Sequence, residues 1–274
     1  MTDSNPQKKY CRVLTVAGSD SGGGAGIQAD LKTISANGCY GMSVITALTA
    51  QNTVGVTAIH PVPVDFVERQ MEAVLSDIGT DAVKIGMLFS PELIKCVADQ
   101  LRSFKIKNIV LDPVMVATSG DKLLLDDAIE ALKEQLLPLA DIITPNLPEA
   151  EVLLGRDIKS LADLEQAAEE LAGLGCSNIL IKGGHLQDEE SDDLLYLGDE
   201  KRSVVLPGRR IVTNNTHGTG CTLSSAIASY LARGKEIEEA VRLAKEYITG
   251  AIISGADYQI GHGHGPAHHF YKFF

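Results

Sequence analysis

Short apolar runs and stretches of helical periodicity take turns along this chain. Arg12 to Ala17 is a mostly apolar series that ends in Gly18 and reads as a buried strand. Behind a glycine-rich loop, Ile27, Leu31 and Ile34 recur at helical spacing and predict a helix from Ile27 to Ala36. The alternation then continues through strand Ser43–Thr49, helix Val64–Ile78, strand Ala82–Ile85, helix Pro91–Ser103 and strand Ile109–Leu111. Helix Asp126–Leu137, strand Ile142–Thr144, helix Ala162–Gly173 and strand Ile179–Lys182 follow. Leu194–Leu197 and Ser203–Leu206 have no helix between them and read as a small antiparallel addition. Two longer helices, Thr219–Ala232 and Glu236–Ser254, close the pattern. Apolar strands alternating with amphipathic helices predict an α/β fold, a doubly wound, mostly parallel sheet with helices on both faces. Neither repeat nor linker interrupts it, so residues 11–274 are expected to form one domain behind a disordered or loosely held N-terminus, residues 1–10.

Composition changes the picture in four places. At 274 residues and 45% apolar content the chain can bury a substantial core. A net charge of -12 argues against a nucleic-acid partner, whose phosphates need a basic face, but not against a small anion held by local amides and a few lysines. The polar start lacks an apolar signal core and no run is long enough to span a bilayer, so no membrane partner is expected. Cysteines at 11, 39, 96, 176 and 221 show no paired spacing, which suits a reducing, cytoplasmic location.

In an open parallel sheet the ligand lies beyond the carboxyl ends of the strands. Polar and glycine residues collect there: Gly18–Gly26, Gln51–Thr53, Gly86-Met87, Asp112–Met115, Pro145–Glu149 and Gly183–His185. Six such loops at one edge predict a cleft. The run Asn215-Thr216-His217-Gly218-Thr219-Gly220-Cys221 adds a glycine turn leading directly into a helix, which aims unpaired N–H groups and a positive dipole end at one point. That arrangement binds an anion, most often a phosphate.

Three phosphate chemistries compete for the cleft. Gly24-Ala25-Gly26-Ile27-Gln28-Ala29 fits a G-x-G-x-x-A dinucleotide fingerprint, but Ser43 to Asn52 holds no acidic residue for a ribose, which disfavours a nicotinamide or flavin oxidoreductase. No G-x-x-x-x-G-K-[ST] P-loop occurs. Phosphoryl transfer with the phosphate-binding glycines in the C-terminal third remains.

The residues carry a resemblance. Gly218-Thr219-Gly220-Cys221 resembles the anion-hole motif of the ribokinase superfamily, and Asn146-Leu147-Pro148-Glu149 its N-x-x-E element. Ala17 to Asp30, Thr46 to Thr53, Lys84 to Leu88, Ile143 to Ala150, Lys182 to His185 and the tail Gly261 to Phe270 resemble, in order, the bacterial hydroxymethylpyrimidine/phosphomethylpyrimidine kinases of thiamine synthesis. The resemblance implies a ribokinase-like fold, ATP and Mg²⁺ as cofactors, an aminopyrimidine alcohol phosphorylated first to the monophosphate and then to the diphosphate, and a homodimer. It carries one departure from the superfamily, since Cys221 stands where an aspartate base is usual, as in the pyrimidine kinases themselves.

The expected roles follow. Catalysis of this kind is mostly positioning and charge neutralisation. Gly218, Thr219 and Gly220 would hold the moving phosphoryl group. Cys221, at a helix N-terminus where a thiolate is favoured, would accept the alcohol proton, unless it is a buried inert thiol. Asp112 and Glu149 are the carboxylates expected near magnesium, directly or through water, although Glu149 could equally complement a helix N-terminus. Lys182 is placed to reach ATP phosphates, and the resemblance adds Asn146, Thr213, Thr216 and Lys245 as nucleotide contacts. Gln51 offers the paired donor and acceptor that an aminopyrimidine edge needs. Gly18 and Asp20 would lie beside the ring, while Met87 and Val114 fit either its faces or the ordinary core. His262, His264, His268 and His269 cluster, but Gly263, Gly265 and Pro266 break any regular ligand geometry, and no metal is expected there. The acidic run Asp188-Glu189-Glu190 with Asp192-Asp193 reads as a solvated loop. A pyridoxal kinase, and a non-catalytic pyrimidine-binding sensor, are the alternative readings.

Overall fold

A computed structural model describes residues 8–115, 126–183 and 191–274. Most of the N-terminus expected to be loose, the Gly184-His185 pair and the run Asp188-Glu189-Glu190 lie outside the described residues. Nine strands form one sheet: β1 (Arg12–Asp20), β2 (Tyr40–Gln51), β3 (Val56–Pro61), β4 (Ala82–Ile85), β5 (Ile109–Leu111), β6 (Ile142–Ile143), β7 (Asn178–Ile181), β8 (Asp193–Leu197) and β9 (Arg202–Leu206). The order across it is β3-β2-β1-β4-β5-β6-β7-β8-β9. The run β2-β1-β4-β5-β6-β7 pairs in parallel, with β3 added antiparallel at one edge and β8 and β9 at the other. The order reverses between β1 and β4, the switch point where such sheets open a crevice.

Helices cover both faces, which is why the strands read as nearly continuous apolar runs. Helices α1 (Gly26–Ala36), α7 (Thr219–Ala232) and α8 (Ile237–Gly255) pack with Val13, Ala82, Val110, Ile142 and Leu180. Helices α2 (Val64–Asp77), α3 (Pro91–Ser103), α4 (Asp126–Gln135), α5 (Leu147–Leu154) and α6 (Leu161–Ala172) pack with Leu14, Val83, Leu111, Ile143 and Ile181. Neighbouring strand residues thus serve opposite cores, the period of two hidden inside an all-apolar sequence. Among the described residues no helix is long and apolar enough to cross a membrane.

Two elements depart from the expectation. Strand β3 was not expected; all six of its residues are exposed, and it pairs only with β2. Helix α5 occupies what the sequence presents as a loop of chemical groups. Asn146 caps it by accepting from the Glu149 amide at 2.9 Å, and Glu149 returns the bond to the Asn146 amide at 2.8 Å.

Candidate active site

One end of the cleft is built by the start of α7. Gly218 caps the helix with φ 75, a conformation that disfavours other residues, and a Cβ there would collide with the Gly24 carbonyl. Thr219 is folded back onto the Thr216 carbonyl through both its amide and its hydroxyl. The amides of Gly220 and Cys221 have no acceptor among the described residues. A Cβ on Gly220 would stand 3.4 Å from Lys182 Nζ and 3.8 Å from Asp112 Oδ2, so the turn faces the ends of β5 and β7.

Lys182, Asp112 and Glu149 meet there. Lys182 Nζ lies 3.2 Å from Asp112 Oδ1 and 4.0 Å from Glu149 Oε2. Ser224 donates to Asp112 Oδ2 at 3.1 Å and Thr144 to Oδ1 at 3.3 Å, which ties α7 to the end of β5. Burial raises the proton affinity of Asp112, but Lys182, Lys84 and the Ser224 hydroxyl outweigh it and hold the carboxyl below its ordinary value. Burial wins at Glu149, helped by the Asp112 charge, and pushes it up to about 7 despite Lys182. The Lys182 ammonium is desolvated yet raised overall by the two carboxylates.

Cys221 is partly exposed at the mouth of the turn. Burial pushes the thiol up to about 11 and outweighs the pull of the Lys84 ammonium and of the Gly26 backbone N–H dipole on the thiolate. The helix N-terminus alone led us to expect a favoured thiolate. That expectation is corrected: desolvation by tertiary packing outweighs the dipole.

The other end of the cleft centres on Asp20. Its Oδ1 accepts from Gly22 N at 2.8 Å, and its Oδ2 from Gly24 N at 3.0 Å and Ala25 N at 2.8 Å. His217 Nε2 sits 2.8 Å from the same Oδ2. Burial opposes ionisation, but His217 and the loop amides prevail and keep Asp20 below its ordinary value. Asp20 therefore organises the glycine loop and orients His217, and both its oxygens are already engaged. His217 Nε2 is also 3.4 Å from Gln51 Nε2, which links the end of β2 to the α7 turn. Gln51 Oε1 accepts from Thr49 Oγ1 at 3.1 Å. A Cβ on Gly18 would sit 3.2 Å from Met87 Cε, so the bare backbone and the thioether flank one space. Val114 follows Asp112 in a tight turn, its amide bonded to the Asp112 carbonyl at 2.8 Å.

Of the remaining expected nucleotide contacts, Thr213 and Thr216 lie on the loop before α7 and Lys245 lies within α8. Thr213 Oγ1 accepts from the Asn215 amide at 3.1 Å. Lys245 Nζ bonds Asp193 Oδ2 at 2.6 Å, and Asp193 Oδ1 takes the Gly183 amide at 3.0 Å, so Lys245 is joined to the end of β7 through a carboxylate. Asp193 is accordingly buried inside β8, which corrects its reading as part of a solvated acidic run. The tail histidines have separate structural places. His269 is buried and held near pKa 4 by desolvation, with Nε2 3.1 Å from Thr222 Oγ1, while His268 packs against Tyr258 and Phe274. No group of three or more metal-ligating side chains exists among the described residues. Sequence reasoning missed His217, Ser224 and the Lys84–Asp30 pair; His217 had a signal, its place inside the glycine turn.

Comparison with known proteins places the chain in a family. A family model described as phosphomethylpyrimidine kinase matches residues 20–268. The chain is 55% identical over 260 residues to the hydroxymethylpyrimidine/phosphomethylpyrimidine kinase of Rhizobium meliloti (strain 1021), covering 94% of this chain and 97% of that one. Among solved structures it is similar to phosphomethylpyrimidine kinase from Clostridium difficile 630, with 51% identity, TM-score 0.79, and coverage of 88% and 99%. It is also similar to an ADP complex of Bacillus subtilis pyridoxal kinase, with 40% identity, TM-score 0.88, and coverage of 95% and 98%.

Proposed function

The chain belongs to the phosphomethylpyrimidine kinase family, and from that premise we propose how its cleft transfers phosphoryl groups from ATP to 4-amino-5-hydroxymethyl-2-methylpyrimidine and then to the monophosphate, in thiamine biosynthesis. The observation that carries the reading is the meeting of Lys182, Asp112 and Glu149 with the unpaired amides of the α7 turn, joined through His217 to Gln51. In this reading Gln51 pairs with the amino group and ring nitrogen of the pyrimidine, and Gly18, Met87 and Val114 bound the ring. Asp20 acts through the loop and His217. Gly218, Thr219 and Gly220 cradle the moving phosphoryl group, while Lys182, Asn146, Thr213, Thr216 and Lys245 serve the nucleotide, Asn146 and Lys245 through Glu149 and Asp193.

The donor set fits Mg²⁺: two hard carboxylates gathered around Lys182 Nζ, one of them raised by burial and by the charge of the other. Asp112 and Glu149 would hold the ion directly or through water, and the ion would neutralise phosphate charge. In its thiolate form, a minor species at neutral pH because burial raises the thiol to about 11, Cys221 takes the alcohol proton as the oxygen bonds to phosphorus and the bond to ADP breaks. The second transfer needs no base, because its acceptor is a phosphate oxygen already deprotonated at neutral pH. A homodimer accounts for the exposed Leu48, Val54, Val56 and Ile59 of the β2–β3 hairpin, and free cysteines suit a cytoplasmic enzyme. MgATP with the pyrimidine alcohol, its monophosphate or pyridoxal, read by mass spectrometry, tests the reading. Pyridoxal phosphate as the main product would favour the vitamin B6 alternative, and no turnover at all would favour a sensor.

A further inference from the structure

Gln51 ends strand β2 with its main chain fixed at both groups. Its N–H donates to Ser21 Oγ at 2.8 Å, and its carbonyl accepts from the same hydroxyl at 2.8 Å. Only the side-chain amide is left to turn, and its two ends are nearly equal in size, so the neighbours decide which end faces which. On one side stands His217, whose Nε2 lies 2.8 Å from Asp20 Oδ2 and 3.4 Å from the Gln51 amide. Asp20 is an ionised carboxylate that also accepts three loop amides. It can only accept, so His217 Nε2 carries the proton. On the other side stands Thr49, whose Oγ1 lies 2.9 Å from the Ser19 carbonyl and 3.1 Å from the Gln51 amide. A carbonyl also only accepts, so Ser19 takes the single hydroxyl proton and Thr49 presents a lone pair to Gln51. With Oε1 at Thr49, the amide nitrogen and His217 Nε2 are two donors face to face at 3.4 Å. A half-turn about the last side-chain bond removes the conflict, with Oε1 toward His217 and Nε2 toward Thr49.

We propose that His217 and Thr49 are specificity-determining residues that act through Gln51, locking its amide oxygen toward the α7 turn so that the cleft selects a 4-amino over a 4-oxo pyrimidine. The inference rests on the reading of Gln51 as the pyrimidine ligand. So oriented, Oε1 accepts from the 4-amino group on the His217 side, and Nε2 donates to the ring nitrogen on the Thr49 side. The carbon bearing the hydroxymethyl group adjoins the amino-bearing carbon on the side away from that nitrogen. The alcohol therefore projects past His217 toward Gly218, which opens the α7 turn. His217 is itself held at both ends, its backbone N–H by the Gly265 carbonyl at 3.0 Å and its imidazole by Asp20. A 4-oxo ring in the same pose sets its carbonyl against Oε1 and its ring N–H against Nε2, two mismatches in a half-buried site.

Competition between the 4-amino and 4-oxo forms of 5-hydroxymethyl-2-methylpyrimidine in MgATP, read by mass spectrometry of the two monophosphates, gives the ratio of their kcat/KM values. The wild type should favour the amino compound by about a hundredfold or more, because two hydrogen bonds are mismatched in the other. His217→Leu frees the amide to turn over, and the ratio should fall at least about tenfold. Damage to the fold or to phosphoryl transfer slows both substrates together and leaves the ratio unchanged. A folded His217→Leu with the wild-type ratio, or a wild type that uses both rings equally, overturns the proposal. If His217→Leu does not fold, Thr49→Val removes the lone pair at the other end of the amide and decides the matter by the same ratio. An unchanged ratio in Gln51→Leu would instead overturn the reading of Gln51 as the pyrimidine ligand.

Discussion

Glu149→Gln separates the electrostatic cost of this site from its fold. The substitution keeps the capping arrangement, because a glutamine side chain can still accept from the Asn146 amide. It removes a carboxylate whose side chain is 4% exposed and whose proton affinity burial raises from 4.5 to about 7. The folded protein therefore keeps a proton that the unfolded chain releases above pH 4.5, and stability is lost as pH rises through about 7. At about 1.4 kcal/mol per pH unit, that rise comes to about 3 kcal/mol by pH 8 and under about 1 kcal/mol at pH 5. In chelator, Glu149→Gln should thus melt above the wild type at pH 8, by roughly 5–10 °C for a chain of this size, with most of the gap gone at pH 5. Adding MgATP at pH 8 should favour the wild type, since a cation bound to the native carboxylates adds stability by mass action. Calorimetry at both pH values, with and without MgATP, makes the measurement. Identical pH dependence in the two proteins would refute the argument.

Cys221→Ala should cut turnover on the alcohol by about 10²–10⁴-fold with both ligands still bound, and Cys221→Asp should restore part of it. With the thiol near 11, wild-type turnover on the alcohol should climb with pH between 7 and 9, while transfer to the monophosphate stays flat; equal slopes for the two acceptors, from initial rates, would count against the base. Gln51→Leu should weaken pyrimidine binding roughly ten- to a hundredfold and leave ATP binding nearly intact, as titration calorimetry would read. Gly26→Ala should destabilise the fold by roughly 1–3 kcal/mol or more, because φ is 55 there and a Cβ would meet the Gly18 carbonyl, as urea unfolding would measure.

How much of this was legible in the sequence follows from the range of the forces involved. The parallel strands were readable because burial on both faces leaves a local trace, a short apolar run such as Ile179 to Ile181. Strand β3 left none, since all its side chains are exposed and it exists only by pairing with β2. The cleft was visible because a parallel sheet must deliver the ends of its strands to one edge, so Gln51, Asp112 and Lys182 could be grouped before their distances were known. Pairings across the chain could not be. Asp20 and His217 lie 197 positions apart, and neither residue alone reveals that the aspartate is committed to the loop and the imidazole. Lys84 gave a one-sided sign, a lone charge in Ala-Val-Lys-Ile, and Asp30 another among Ile27, Leu31 and Ile34. Joining the two requires the fold, because a buried charge identifies a need for a partner but not its address. The thiol of Cys221 makes the same point in energy. Its helix-terminal position is a local fact that favours the anion, whereas desolvation is a property of everything packed around it and reverses the sign.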